Sequence, residues 1–438
     1  MATVGSAQPI AAPETVANRL GPLVSEDWIA VWVGLGSIAG VLAGVRPLLP
    51  SLAWTTTGDL ASRVLAFPNL LNAVTIGAVL AALAGFAVLL MGGTIAQFAI
   101  GFPIVYAMSL VAQLVAGNAG VASWGLEYVI FAFALGLLVS NTVGVPAWLR
   151  EAARTELYIK TGLVILGASI LFGDMLQAGF LGILQAVLVV SAVWFFCFWL
   201  AKRLRVDDEF ATMLASAVSI CGVSAAIAAC GAIQGDRKKL SYVTSLVLIV
   251  AAPMMVLMPF AIRAFGVPDL VGGAWLGGTL DTSASVVAAG EMISIPARNA
   301  GVVVKLSQNV LIGVAAFLLT IWWTMRNEKS VERPSAAVIW SRFPKFVLGF
   351  IAASFAFSFL IDGPLVDNTK GILTSLRTMW FALAFTSIGL DTRFSDLTSG
   401  NSGRAAIAFI GGQAFNIVWT LALAYLLFGG MLFEVPAL

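Results

Sequence analysis

The sequence predicts an all-α, polytopic membrane protein, and three observations lead to this prediction: composition, segment length and the absence of strand-like alternation. Of 438 residues, 60% are hydrophobic and only 11% are charged, whereas soluble domains carry about 25% charged residues. A chain with so few charges cannot cover a water-facing surface, so much of it must face lipid. Its apolar runs reach the ~20 residues that a helix needs to cross a bilayer. They also lack the alternating pattern, over ~10 residues, that is typical of membrane-barrel strands.

The composition also excludes several classes of protein. There is no histidine, which rules out Ser-His-Asp triads, HExxH metal sites and imidazole proton relays. The balance of 24 basic and 22 acidic residues predicts no basic surface for nucleic acid. Cys197, Cys221 and Cys230 lie in apolar runs, and their odd number argues against a disulfide framework. No motif implies a metal or a cofactor, and no Walker A loop points to ATP as the direct energy source.

Apolar segments fill the chain almost continuously after a polar N-terminal tail at 1–26. No basic residue occurs in 1–18, so we expect no secretory signal. The rest, 27–438, is predicted to be a single transmembrane domain of about 11–13 membrane segments. The candidate segments are 28–49, 73–92, 96–116, 125–143, 158–174, 178–201, 209–233, 241–262, 269–291, 297–325, 344–361, 374–391 and 404–430.

Lysine and arginine residues collect in the even-numbered connections between these segments. Cytoplasmic loops carry an excess of these residues, so the pattern predicts a cytoplasmic N-terminus. The basic residues concerned are Arg150, Arg154, Lys202, Arg203, Arg205, Arg326, Lys329, Arg333, Arg342, Lys345, Arg393 and Arg404.

One basic cluster, at 237–239, falls on the opposite side if every segment crosses. It returns to the cytoplasm if 209–233 is a re-entrant hairpin, and 269–291 must then be re-entrant from the other face. Both segments are rich in Gly, Ser, Ala and Thr at their centres. Such residues also line closely packed membrane helices. Broken helices of this composition, however, mark binding sites in transporters. We therefore predict two discontinuous helices, either hairpins or broken crossings.

Polar residues inside these and the following segment are the candidate site. Asp281 and Lys305 are placed where a charge costs about 2.5–3.5 kcal/mol, and Gln308 and Asn309 share the helix face of Lys305. Asp281 and Lys305 could form a structural ion pair, or could serve ion or proton coupling. The remaining predicted substrate-binding residues surround the two breaks: Ser219, Cys221, Gly222, Ser224, Gly278, Thr279, Thr282, Ser283 and Ser285. We interpret Glu127 and Glu291 as interfacial.

Several motifs give the chain a resemblance to a known family. These are Ser219-Ile-Cys-Gly-Val-Ser-Ala-Ala-Ile-Ala228, the run Val286-Val-Ala-Ala-Gly290 followed by Val303-Val-Lys305, and Phe343-Pro-Lys-Phe346. Together they resemble the YeiH-like sulfate exporter family of membrane proteins. The resemblance covers most of the chain from the fourth segment onward.

The resemblance implies a bacterial inner-membrane carrier, distantly similar to bile-acid symporters and cation/proton antiporters. It further implies a core domain beside a panel domain, inverted repeats, a homodimer, and sulfate or organosulfonates as substrates. Many family members have a His-Glu pair before the Val-Val-Ala-Ala-Gly run, where this chain reads Leu280-Asp-Thr-Ser-Ala-Ser285. That departure is consistent with a branch that has another substrate or coupling ion.

These observations support a secondary active transporter, exporting or exchanging a small anion by alternating access, as the leading hypothesis. Lys305 would balance the anion, and Na⁺ or a proton could be coupled to its movement. The alternative is a cation/proton antiporter that uses Asp281 and Lys305. A lipid-modifying enzyme is disfavoured by the lack of histidine and of a carboxylate cluster, and a channel by the scarcity of charges for a pore ring.

Overall fold

The protein is built almost entirely of α-helices, in a computed structural model that describes residues 25–123, 127–326, 337–392, 403–436 and 438. Within these ranges, two π-helical turns, Leu60–Val64 and Ala217–Cys221, interrupt the α-helices. In chain order the α-helices are α1 (Glu26–Leu42), α2 (Thr57–Asp59), α3 (Phe67–Leu90), α4 (Ile95–Ala116), α5 (Ala119–Ser123), α6 (Tyr128–Thr142), α7 (Ala147–Ala152), α8 (Thr155–Gly167), α9 (Phe172–Arg203), α10 (Asp208–Ser216), α11 (Val223–Ile233), α12 (Arg237–Ala264), α13 (Asp269–Thr279), α14 (Ser283–Glu291), α15 (Ile295–Arg326), α16 (Ala337–Arg342), α17 (Phe346–Phe359), α18 (Gly363–Asp391) and α19 (Gly403–Phe428).

Seven helices among the described residues are long and apolar enough to cross a membrane: α3, α4, α9, α12, α15, α18 and α19. Each corresponds to a predicted segment, so the prediction of a polytopic helical membrane protein is confirmed. The other predicted segments are shorter helices or are interrupted. For example, 28–49 is helical only as far as Leu42, because Gly44 adopts φ +97° and two prolines follow. The predicted tail lies outside the described residues, apart from Ser25, which caps α1, and Glu26, with which α1 begins.

The helices pack in two groups whose backbones approach each other closely at few places, although buried apolar side chains of both groups form one continuous cluster. The first group contains α1, α3, α4, α6, α7, α8, α17 and α18, with α18 packed closely on α6 and α8. The second, which we call the hairpin group, contains α9 to α15 and α19, with α15 in contact with α9, α11, α13 and α14.

The first discontinuous segment, 208–233, is a re-entrant hairpin. Asp207 caps the start of α10, accepting a hydrogen bond from the Phe210 amide at 3.1 Å. Lys239, which follows α11, lies 2.7 Å from the same Asp207 carboxylate and 3.4 Å from Glu209. Burial raises the pKa of Asp207, but the hydrogen bonds from Lys239 and from the Phe210 amide, together with the positive charge of Lys239, lower the pKa below its usual value. Because both ends of the segment meet in this ion pair, the chain enters and leaves on one face, which we call the Lys239 face.

The second discontinuous segment, 269–291, is also a hairpin, and it enters from the other side. Arg263, at the end of α12, donates a hydrogen bond to the carbonyl of Met292, directly after α14. The 28 residues of α12 extend about 42 Å at 1.5 Å per residue, which separates this second membrane face, the Arg263 face, from the Lys239 face. Of the two predicted alternatives, hairpins and broken crossings, the structure shows hairpins, which enter from opposite faces.

Two glycines set the distance between α6 and α18 in the first group. A β-carbon on Gly389 would overlap the carbonyl oxygen of Phe133, and one on Gly136 would overlap that of Thr386. Only glycine permits backbones to approach this closely. This close contact between α6 and α18 therefore fixes the position of α18, which also contacts the hairpin group.

We expect Gly389→Ala to destabilise the protein, because its methyl group must push two helix backbones apart. Overpacking of this kind costs about 1–3 kcal/mol. The control is Gly371→Ala in the same helix, where a β-carbon would meet nothing within 4 Å, and where alanine adds up to about 1 kcal/mol of helix propensity. Thermal melting in detergent measures both. Equal melting temperatures for the two variants would contradict the role assigned to this close contact.

Candidate functional site

The tips of the two hairpins meet inside the membrane. Gly222 joins the π-helical turn to α11 with φ +59° and ψ −113°, a conformation that side chains disfavour. A β-carbon on Gly222 would lie 3.1 Å from the Asp281 β-carbon and 2.6 Å from a Val247 methyl group. The first tip therefore packs through bare backbone against the second, at the break between α13 and α14.

Side chains of α15 bind the backbone of both tips. The Lys305 ammonium donates to the carbonyl of Ile220 at 2.9 Å and to the Gln308 side-chain oxygen at 2.5 Å. The Gln308 amide donates in turn to the carbonyl of Ser219 at 2.7 Å and, at 3.4 Å, to that of Gly278. Buried carbonyls need hydrogen-bond donors. Where a helix breaks, its last carbonyls lack the amides of a following turn, so side chains must donate to them instead. Lys305 and Gln308 thus form a clamp that holds the two tips together.

Helix α19 supplies further tip contacts that the sequence analysis missed. Gln413 donates to the carbonyl of Thr279 at 2.9 Å, and Asn416 donates to that of Val218 at 3.2 Å. Thr420 supports Asn416 through a 2.7 Å hydrogen bond. The spacing of 413, 416 and 420 places three polar residues on one face of an otherwise apolar helix. This spacing was the sequence pattern from which the contacts of α19 with the tips could have been predicted.

Asp281 is buried at the junction of the tips without a hydrogen-bond partner among the described residues, although Lys305 is near enough to interact with it electrostatically. Asp281 is 2% exposed, and neither carboxylate oxygen has a hydrogen-bond partner among the described residues. Lys305, 1% exposed, is directed to Ile220 and Gln308 instead, and within the described part of the chain it makes no ion pair with Asp281. A structural ion pair between the two is therefore absent from this conformation. A buried carboxylate without donors is costly when charged.

A cavity of about 880 Å³ extends from the Lys239 face to the tips. Its mouth is lined by charged residues: Glu26, Asp27, Glu156, Lys160, Lys345 and Asp391. Asp27 contacts both basic residues. It forms an ion pair with Lys160 at 2.8 Å and accepts a hydrogen bond from the backbone amide of Lys345 at 2.8 Å. Four acidic and two basic side chains make the mouth acidic overall.

Six of the thirteen predicted site residues line the inner end of this cavity, which we call the cavity floor: Cys221, Ser224, Thr282, Ser283, Ser285 and Asn309. The other seven are buried behind it: Ser219, Gly222, Gly278, Thr279, Asp281, Lys305 and Gln308. The structure thus brings the predicted set together around the tips. Of the predicted Lys305 face, however, only Asn309 reaches the cavity.

The cavity floor is formed by the first turns of two helices. The Thr282 hydroxyl caps α14 by accepting from the Ser285 amide at 3.0 Å, and Asn309 donates to the Ser283 hydroxyl at 2.9 Å. Helix α11 begins at the opposite tip, just after Gly222. First-turn amides have no partner within their own helix, and the helix dipole makes this end positive. Two such ends, with hydroxyl and amide side chains between them, can bind a small anion.

Comparisons with known proteins agree with the membrane architecture. A family model described as "Conserved hypothetical protein 698" matches residues 100–407. A UPF0324 membrane protein of Rhodopirellula baltica is 40% identical over 361 residues, which cover 80% of this chain and 66% of the relative. A second, from Nitratidesulfovibrio vulgaris, is 38% identical over 79% of this chain and 62% of its own length.

A third relative, from Nitrosomonas europaea, is 29% identical over 90% of this chain and 95% of its own length. This chain therefore spans about two thirds of the first two relatives and nearly all of the third. No solved structure matches the chain.

Proposed function

We propose that this chain, a member of the conserved hypothetical protein 698 (UPF0324) family of membrane proteins, is a secondary active transporter of a small anion. The proposed substrate class is sulfate or organosulfonates, exported or exchanged by alternating access. The proposed orientation in a bacterial inner membrane makes the Lys239 face cytoplasmic, in keeping with the basic loops on that side.

The observation that carries the proposal is the cavity floor. A cavity from one face ends at two helix N-termini contributed by hairpins from opposite faces. Transporters use half-helix N-termini of this kind for anionic groups. The hydroxyls of Thr282, Ser283 and Ser285 would add hydrogen bonds to an oxyanion, and Lys305 would contribute positive charge from behind the floor. The acidic mouth works against this substrate class, because its net negative charge lowers the local concentration of an anion.

The two helix groups suggest how the anion would cross. The tips are bound to α15 and α19 by the clamp and its neighbours, so the hairpin group would move as one unit. Because its backbone approaches that of the first group closely at few places, displacement along that boundary would close the cavity and open the Arg263 face.

A charge at Asn309 tests this function. Asn309→Asp keeps the hydrogen bond with the Ser283 hydroxyl but puts a negative charge on the cavity floor. At about 6 Å and an effective dielectric of about 20, this costs an anion about 2.8 kcal/mol, or roughly 100-fold in affinity. Thermal shifts of purified protein with sulfate, thiosulfate, isethionate and taurine measure binding through mass action, and proteoliposome flux measures transport.

The control is Asn118→Asp, where the side-chain oxygen accepts hydrogen bonds from the amides of Gly120 and Val121 at 2.9 and 3.2 Å. Aspartate makes the same bonds there, so binding and flux should equal those of the unmodified protein. An oxyanion that stabilises and crosses equally well in Asn309→Asp would contradict the proposal.

Cation/proton antiport is the second candidate, and the unpartnered Asp281 carboxylate is the observation that favours it. A buried acid without donors is suited to hold a proton or a monovalent cation. In the same proteoliposomes, Na⁺ or Li⁺ would then dissipate a pH gradient, and Asp281→Asn would stop this. Such a result without any oxyanion effect would replace the anion carrier by the antiporter.

A further inference from the structure

We propose that Arg298 and Arg377 form a second oxyanion site between the hairpin tips and the Arg263 face, and that the Glu291 carboxylate occupies it in the present conformation. Its role in transport rests on the proposed function, whereas its binding chemistry does not. The site lies where the end of α14 and the start of α15 meet the middle of α18.

Two buried guanidinium groups share a single carboxylate oxygen at this site. Glu291 Oε1 lies 2.9 Å from Arg298 Nη1 and 3.9 Å from Arg377 Nη2. The two arginine side chains are only 3% and 6% exposed. Arg298 also donates to the Asn299 side-chain oxygen at 2.8 and 3.1 Å, so Arg298 is well satisfied. Among the described residues, the one ion-pair contact of Arg377 is the distant Glu291 carboxylate.

Arg377 occupies an unusual position for so poorly paired a charge. It lies at the middle of the 29-residue α18, 14 residues from either end, and near the start of the apolar segment 374–391, where its side chain is 6% exposed. Intramembrane arginines normally pair closely or face a substrate path. Arg377 was not among the predicted site residues, although it is a charge inside the predicted segment 374–391.

Two unused hydrogen-bond donors belong to the same cluster, because Tyr128 lies close enough to Glu291, Arg377 and Arg298 to interact with them electrostatically. Arg377 Nε and the Tyr128 hydroxyl are buried and have no partner among the described residues. Tyr128 and Arg377 belong to the first group, whereas Glu291 and Arg298 belong to the hairpin group. An oxyanion has several acceptor oxygens and could satisfy both arginines and the tyrosine, which the single carboxylate does not.

The position of Glu291 links this cluster to the cavity floor. Ser283 and Glu291 are the two ends of α14, about 12 Å apart at 1.5 Å per residue. Movement of the hairpin group past the first group would carry Glu291 and Arg298 together and would widen the space between them and Arg377. The anion would then take the place of the carboxylate, so that Glu291 and the anion compete for one site. Glu127 and Arg263 are the other charged groups nearby.

The test isolates this site from the cavity floor by combining Glu291→Gln with Asn309→Asp. Thermal shift is measured with sulfate against gluconate at constant ionic strength. The double variant should be stabilised by sulfate at concentrations at least tenfold below those needed by Asn309→Asp alone. Adding Arg377→Gln should remove that stabilisation. The control is Glu434→Gln, an exposed acid beyond α19, combined with Asn309→Asp, which should gain nothing.

No sulfate stabilisation of the folded double variant would overturn the proposal, and would leave the anion carrier intact if the unmodified protein still transports. Stabilisation that Arg377→Gln removes, in a protein that moves no anion, would support the site and refute the carrier. If the double variant does not fold, the site is tested by flux in the Arg377→Gln variant alone, with sulfate supplied at the Arg263 face. A tenfold higher sulfate concentration for half-maximal flux supports the site, and an unchanged concentration overturns it.

Discussion

Replacing Lys305 with methionine is expected to abolish transport and to lower the melting temperature. The ammonium group is the donor for the Ile220 carbonyl and the Gln308 side-chain oxygen. Methionine fills much of the volume but leaves both acceptors buried and unpaired, at about 1–3 kcal/mol each. It also removes the positive charge behind the cavity floor. Anion-dependent stabilisation should therefore disappear together with flux, as measured by thermal shift and in proteoliposomes.

Lys305→Gln separates the two causes. Its amide can still donate to a tip carbonyl, so the fold should recover in part, whereas anion binding should remain lost because the charge is absent. Lys370→Met, on the exposed part of α18, should change neither property. Transport at the unmodified rate in folded Lys305→Met would refute the role assigned to the clamp.

Gly222→Ala should have the next largest effect, through the backbone of the first tip. At φ +59° and ψ −113° a side chain adds about 1–3 kcal/mol of strain, and the methyl group would lie 2.6 Å from Val247 and 3.1 Å from the Asp281 β-carbon. Relief requires the tips to separate, which would deform the cavity floor between the helix N-termini. We expect the initial transport rate to fall by at least tenfold and the melting temperature to drop.

Gly266→Ala is the matched control for backbone strain alone. Gly266 also has a positive φ, +62°, but a β-carbon there meets nothing within 4 Å. That variant should lose some stability and keep its transport rate. If Gly222→Ala behaves in the same way, contact between the tips is not needed for function.

The sequence was sufficient for the fold class and for the neighbourhood of the site. Apolar length predicted all seven long helices, and the misplaced basic cluster at 237–239 predicted the hairpin that the Lys239–Asp207 ion pair closes. These features are local or depend on loop charge, so periodicity and composition reveal them. The thirteen candidate residues also lie together around the tips.

The arrangement within the site depends on tertiary packing and could not be read from the sequence. Lys305 was expected to line the substrate cavity, but its long side chain reaches the Ile220 carbonyl, 85 residues earlier in the chain. The contacts of Glu291 with Arg298 and Arg377 likewise depend on tertiary packing, because they join α14 and α15 to α18. Asp281 could be recognised as unusual, but its lack of a partner depends on where every neighbouring side chain points.

The depth of the cavity also determines where an anion would meet the membrane voltage. A cavity that is open at the Lys239 face and reaches the tips would carry the electrical potential of that face deep into the protein once water fills it. The voltage then falls mainly between the cavity floor and the Arg263 face, over a distance comparable to the ~12 Å of α14. An elementary charge that crosses this region gains or loses about 2.3 kcal/mol of free energy per 100 mV. The electrogenic part of a transport cycle would therefore be the short step past the tips, and the current would report that step directly.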